Sequence, residues 1–127
     1  MNTMNKDNYI DNRIQYKEKT SSENIRICIE EDAFEQFKML VQNNGISHSS
    51  YLRMRVFSSI SHEYVTVYKP MYIYTGKNIN KLSFTIPKEV REQFQELCGR
   101  FGYTQSDVIR GWVYQCLEMQ KLFPKDL

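Results

Sequence analysis

The sequence predicts a mainly helical chain with short strands, built from two copies of one strand-helix-helix unit that must cover each other. Three observations carry this prediction. Along Lys81 to Leu117, KLSFTIPKEVREQFQELCGRFGYTQSDVIRGWVYQCL, the apolar spacing changes from a period of 2 to one near 3.6. The stretch 57 residues earlier, Asn24 to Ile60, lies over it without a gap and matches it at nine positions. A strand of about six residues with two short helices cannot enclose a core alone, because each element has one apolar side and nothing to cover it.

The nine identities are Ile29/Ile86, Glu35/Glu92, Gln36/Gln93, Phe37/Phe94, Leu40/Leu97, Gly45/Gly102, Ser49/Ser106, Arg53/Arg110 and Val56/Val113. They fall on the strand's core face, the stripe of the first helix, the turn glycine and the start of the second helix. They therefore repeat the constraints of a fold.

The elements follow from the pattern. In the second copy Leu82, Phe84 and Ile86 alternate with Lys81, Ser83 and Thr85, a half-buried strand, and Pro87 stops it and opens a helix at its first position. Val90, Phe94, Leu97, Cys98 and Phe101 form the stripe of that helix, which Gly102 ends. Thr104 caps the next helix, with Asp107 completing a capping box, and Val108, Ile109, Trp112, Val113, Cys116 and Leu117 turn inward. In the first copy Ile25, Ile27 and Ile29 face the core, so Asn24, Arg26 and Cys28 face away. A helix over Glu30 to Asn44 buries Ala33, Phe37, Leu40 and Val41, Gly45 stops it, and Ser47 caps a helix running to Ile60. Glu30, Glu31 and Asp32 favour the positive end of the helix dipole and have no histidine at a useful spacing for metal or acid-base chemistry.

Around the repeats, residues 1–23 form a polar arm whose Lys6, Arg13, Lys17 and Lys19 are candidates to follow a phosphate backbone, although such a composition alone predicts disorder. Residues 61–80 form a Tyr-rich linker, read as an extra hairpin broken at Lys69-Pro70. The linker is long enough for the repeats to pair with each other; an oligomer-forming or partner-binding patch is the other use of its tyrosines. Residues 118–127 form a C-terminal tail that docks or frays.

The order of elements, the G-x-[ST]-x-S turn at Gly102, Thr104 and Ser106, and the apolar-apolar-Arg step from Val108 to Arg110 resemble the ribbon-helix-helix family of DNA-binding proteins (Arc/MetJ type). The resemblance implies a short antiparallel β-ribbon that enters the major groove of double-stranded DNA, formed here within one chain as an intramolecular pseudo-dimer. It further implies base contacts from Asn24, Arg26, Cys28, Lys81, Ser83 and Thr85. The chemistry suits the role, since Arg and Lys donate to guanine O6 and N7 and Asn pairs with adenine N6 and N7; Cys28 departs from the expected polar type. Phosphate clamps are implied at Ser47, His48 and Ser49 and at Thr104, Gln105 and Ser106, where free amides and the dipole converge. Arg53 and Arg110 support either the fold or the backbone contact. Trp112, whose counterpart is Arg55, is expected in the core or at the interface of the repeats.

Composition narrows the classes. A net charge of +2 is too small for indiscriminate coating of nucleic acid, so DNA binding would rest on geometry and base contacts. Cys28, Cys98 and Cys116 have no C-x-x-C spacing and read as reduced thiols of a cytoplasmic protein, without disulfide or zinc. No apolar leader or membrane-length run is present, and no catalytic set or cofactor motif is apparent, so an enzyme is not expected. The leading expectation is a sequence-specific transcriptional regulator reading a non-palindromic element, with whole chains self-associating on DNA where the site is symmetric. The alternatives are a relaxosome accessory protein of a conjugative element, recruiting a relaxase or coupling protein, and a protein-interaction module.

Overall fold

Six elements follow one another in the computed structural model, which describes residues 21–68 and 79–123. They are β1 (Ser22–Glu30), α1 (Glu31–Asn43), α2 (His48–His62), β2 (Ile79–Pro87), α3 (Lys88–Arg100) and α4 (Gln105–Met119). The chain is thus mainly helical with one two-stranded antiparallel sheet. Every element of the second half is its counterpart in the first displaced by 57 residues, with the same length.

β1 and β2 pair along their whole lengths, from Ser22 opposite Pro87 to Glu30 opposite Ile79. The alternation predicted from sequence is realised: Ile25, Ile27, Ile29, Leu82, Phe84 and Ile86 are at most 3% exposed and form one side of the core. Residues between them face outward. The pair at the centre of the ribbon is Arg26 opposite Ser83, two positions that are themselves 57 residues apart.

The helices close the core by crossing between halves. α2 packs on β2 and α3, while α4 packs on β1 and α1, so neither half holds its own second helix alone. Phe37 of α1 meets the ring of Tyr51 with centroids 6.0 Å apart, and Phe94 of α3 meets Trp112 at 5.7 Å. Gly45 and Gly102 end the turns between helices at φ +73 and +83, where a side chain would be strained.

Several boundaries and contacts differ from the sequence expectation. β1 begins at Ser22 because the end of the polar arm is held: the Ser21 carbonyl accepts from Lys88 N at 3.0 Å, and Glu23 pairs with Arg91 at 2.9 Å. Lys6, Arg13, Lys17 and Lys19 lie outside the described residues. Glu30 and Pro87 end the strands and cap α1 and α3 with extended backbone, so Pro87 precedes the helix instead of opening it. Asp107 does not reach back as a capping box; its carboxylate bonds Arg110 at 3.2 Å. Phe101 leaves the apolar stripe, is 38% exposed, and sets its ring edge-on to Tyr64.

The linker also departs from a hairpin over its described part. Residues 61–62 finish α2, and 64–68 form no strand, because their backbone is engaged by α4 instead. Trp112 Nε1 donates to the Thr66 carbonyl at 3.0 Å, and Val65 is buried. Lys69-Pro70 and the residues up to 78 lie outside the described part. The tail docks as far as Phe123: the Phe123 carbonyl accepts from Arg55 and from the Tyr51 hydroxyl, and its amide donates to that hydroxyl at 2.8 Å.

This docking extends the correspondence between halves beyond the stretch that sequence identity marks. Glu63 and Gln120, 57 residues apart, both end their helices in the left-handed region, at φ 53 and 57. Thr66 and Phe123 then offer carbonyls to Trp112 and Arg55, and both pairs are again 57 residues apart. Arg55 is only 4% exposed; its guanidinium lies 4.6 Å from the Trp112 ring centre and donates to Tyr51 Oη at 2.7 Å. Ring faces, a phenol and a carbonyl thus accommodate a buried cation.

Candidate nucleic-acid interface

Because the strand period is 2 and one face is committed to the core, the other face must carry Asn24, Arg26, Cys28, Lys81, Ser83 and Thr85. The register brings them together as three facing pairs: Asn24 with Thr85, Arg26 with Ser83, and Cys28 with Lys81. Asn24, Arg26, Lys81 and Thr85 are exposed, while Cys28 and Ser83 are half-buried. Two cations and no carboxylate stand among the six, so the face is polar and electropositive at its middle and at one end.

A two-stranded ribbon has two open edges, and unpaired carbonyls on them need donors. The helices supply these. Arg53 Nη1 of α2 donates to the Thr85 carbonyl at 2.9 Å, and Arg110 Nε of α4 donates to the Cys28 carbonyl at 2.9 Å. These are corresponding contacts in the two halves: each arginine ties its helix to the strand of the other half. Sequence identity at this position was the signal; the partner was not visible in it, since a backbone carbonyl has no residue type.

The same arrangement fixes the helix N-termini beside the ribbon. His48 Nε2 lies 3.1 Å from the Ser83 carbonyl, at the ribbon's centre. Burial pushes the imidazole pKa below its ordinary value, the Ser83 carbonyl opposes that shift, and Lys38 and Arg53 add to it. A neutral ring donating Nε2–H to the carbonyl is the form this environment favours. Its counterpart Gln105 is half-buried, with Oε1 enclosed. At the caps, Ser47 Oγ accepts from Ser50 N and Thr104 Oγ1 from Asp107 N, each at 3.1 Å. Side chains at positions 47, 48 and 104 are therefore occupied with the fold, whereas Gln105 Oε1 is buried without a hydrogen-bond partner among the described residues. What these helix starts can offer a ligand is their first backbone amides, which have no acceptor within the helix, together with the positive dipole end. Ser49 and Ser106, the remaining residues of the two implied clamps, are half-buried, and Ser49 Oγ lies 3.5 Å from His48 Nε2.

Other chemistry is sparse. Among the described residues no group of three or more His, Cys, Asp or Glu is placed to hold a metal ion, and no helix is long and apolar enough to cross a membrane. All three cysteines are free thiols; burial pushes Cys98 up to about 12 and also raises Cys116. The fold and this face define a mainly helical protein that exposes one polar antiparallel ribbon, clasped at both edges by the starts of two helices. Comparison with protein-family models, with curated proteins and with solved structures finds no match to the chain.

Proposed function

We propose that the chain is an intramolecular pseudo-dimer of two ribbon-helix-helix units that binds double-stranded DNA sequence-specifically, with the ribbon in the major groove, as a transcriptional regulator. One observation carries the reading: the exposed polar face of the ribbon is flanked on each edge by a helix N-terminus anchored to it through Arg53, Arg110 and His48. The equal displacement of every element and the centring of the register on Arg26 and Ser83 support the pseudo-dimer.

A major groove about 12 Å wide admits a two-stranded ribbon. The outward side chains then meet base edges, Arg26 and Lys81 as donors to guanine and Asn24 as a two-way partner for adenine. Amides at the starts of α2 and α4 meet one phosphate on each side, which sets the depth and register of the ribbon. With the phosphates held by backbone amides and the two cations of the ribbon face directed at bases, few counterions are displaced, so affinity falls gently with salt. A relaxosome accessory protein would use this same face and differ in the protein it recruits.

Selection of bound duplexes from a random pool at physiological salt, followed by footprinting, tests the reading. A discrete motif protected in the major groove, lost when Arg26 and Lys81 are both replaced by alanine, is expected. Recovery of no motif, with binding that vanishes at modest salt, would overturn it.

A further inference from the structure

The ribbon is directional, and we infer that Arg26 alone selects a guanine at the centre of an asymmetric DNA site, with a second guanine on the Lys81 side and an adenine on the Asn24 side. This rests on the DNA-binding reading and goes beyond it by assigning base identity and polarity to the site.

The register supplies the argument. Arg26 and Ser83 face each other at the point about which the two halves correspond. In a homodimer this point would carry the same residue twice, and both DNA strands would be probed identically. Here it carries a long bidentate donor against a short hydroxyl, and Arg26 is exposed while Ser83 is half-buried. Ser83 is short and half-buried, so the space over the central base pair is left to the long, exposed Arg26. Arg bidentate to guanine O6 and N7 is the commonest specific contact in the major groove, whereas serine accepts either base.

The flanking pairs break the symmetry again. Lys81 stands opposite Cys28, a weak donor, so that end has one cation; Asn24 stands opposite Thr85, so the other end has none. Glu30 and Ile79, the next outward pair beyond Lys81, carry no side-chain donor and close the row there. Successive outward pairs are about 7 Å apart along a strand, close to two base-pair steps. The three pairs thus cover a core of about five base pairs, in the order adenine, guanine, guanine at alternate positions.

The test is duplex selection on three proteins: the wild type, Arg26→Ser, and the swap R26S/S83R. Both positions lie on the outward face, and the His48 contact uses the Ser83 main chain, so the swap retains the packing; thermal unfolding verifies this. Expected are an asymmetric wild-type motif, a drop of roughly tenfold or more in preference for the central guanine in Arg26→Ser with the flanking bases retained, and complementation of the central base pair in the swap. The last result follows because the axis that exchanges the ribbon strands also exchanges the DNA strands. A palindromic wild-type motif, or a centre unchanged in both variants, overturns the assignment while leaving DNA binding intact. Failure of the wild type to select any motif overturns the DNA-binding reading itself.

Discussion

Replacing Gly111 by alanine sets two effects of opposite sign against each other, and the structure decides between them. In the interior of α4 glycine costs about 1 kcal/mol relative to alanine, so propensity alone predicts stabilisation. A Cβ at Gly111, however, would sit 2.9 Å from the Tyr68 carbonyl oxygen and 3.6 Å from Tyr68 Cβ and N. The nearest atom is main chain, so relief requires the whole Val65–Tyr68 segment to move off α4. Overpacking of this kind costs about 1–3 kcal/mol. The movement also stretches the bond from Trp112 Nε1 to the Thr66 carbonyl, now 3.0 Å, and Trp112 is fully buried. An unsatisfied buried donor adds about 1–3 kcal/mol. The net expectation for Gly111→Ala is destabilisation by about 1–5 kcal/mol, or about 4 °C in Tm for each kcal/mol. Urea unfolding, with the midpoint lowered at unchanged slope, measures it. A variant as stable as the parent, or more stable, would refute the placement of this segment on α4 and leave helix propensity as the only effect.

Three further outcomes follow from the ribbon and the core. Arg53→Ala and Arg110→Ala each remove a donor from an edge carbonyl and should cost about 1 kcal/mol in urea unfolding. Arg110→Lys should not restore the loss, because Arg110 bonds Cys28 through Nε and Asp107 through Nη1 at once, which one ammonium cannot imitate. His48 has its folded-state pKa below the ordinary 6.5, so the unfolded chain binds the extra proton first. Its contribution is complete above pH 6.5 and is lost as pH falls through the lower folded value; His48→Gln, which copies Gln105, should flatten that part of the stability profile. Thiol labelling of the native protein should modify half-buried Cys28 first, with Cys98 and Cys116 reacting only on unfolding, since burial holds both as neutral thiols.

The parts of the fold visible in the sequence are those where a side chain declares its own environment. Alternation along Asn24–Ile29 and Lys81–Ile86 identifies the strand faces, because burial on one side selects apolar residues at every second position. Gly45 and Gly102 declare the turns because the φ there excludes most other residues. Ser47 and Thr104 declare the helix starts because their oxygens are needed at the third residue on. The candidate face followed from the same alternation. Its supports did not, because Arg53, Arg110 and His48 all bond to carbonyls, and any residue can supply a carbonyl. Phe101 departs from its stripe for a related reason: the stripe predicts which side of a helix is apolar, not whether its last turn extends beyond the neighbours that would cover it.

The segments after α2 and α4 carry this logic furthest. Thr66 and Phe123 share no side-chain chemistry, yet their carbonyls occupy corresponding places, one receiving a neutral indole N–H and the other a guanidinium. Only the acceptor is kept between halves, so comparison of the two sequences ends at Ile60 and Leu117 while the structural correspondence continues. The difference in donor makes a testable asymmetry. In a chain ending at Lys121, Arg55 loses the Phe123 carbonyl and stays buried beside Trp112, whereas Trp112 keeps its own acceptor, Thr66. Arg55→Met fills similar space and needs no acceptor, so it should cost stability in the full chain but recover part of the loss in the shortened one. The coupling between the two changes, read from a double-mutant cycle in urea, should be about 1–3 kcal/mol. Additive effects would mean that the guanidinium finds another acceptor when the tail is removed, and that the docking of Phe123 is held by its ring and the Tyr51 hydroxyl alone.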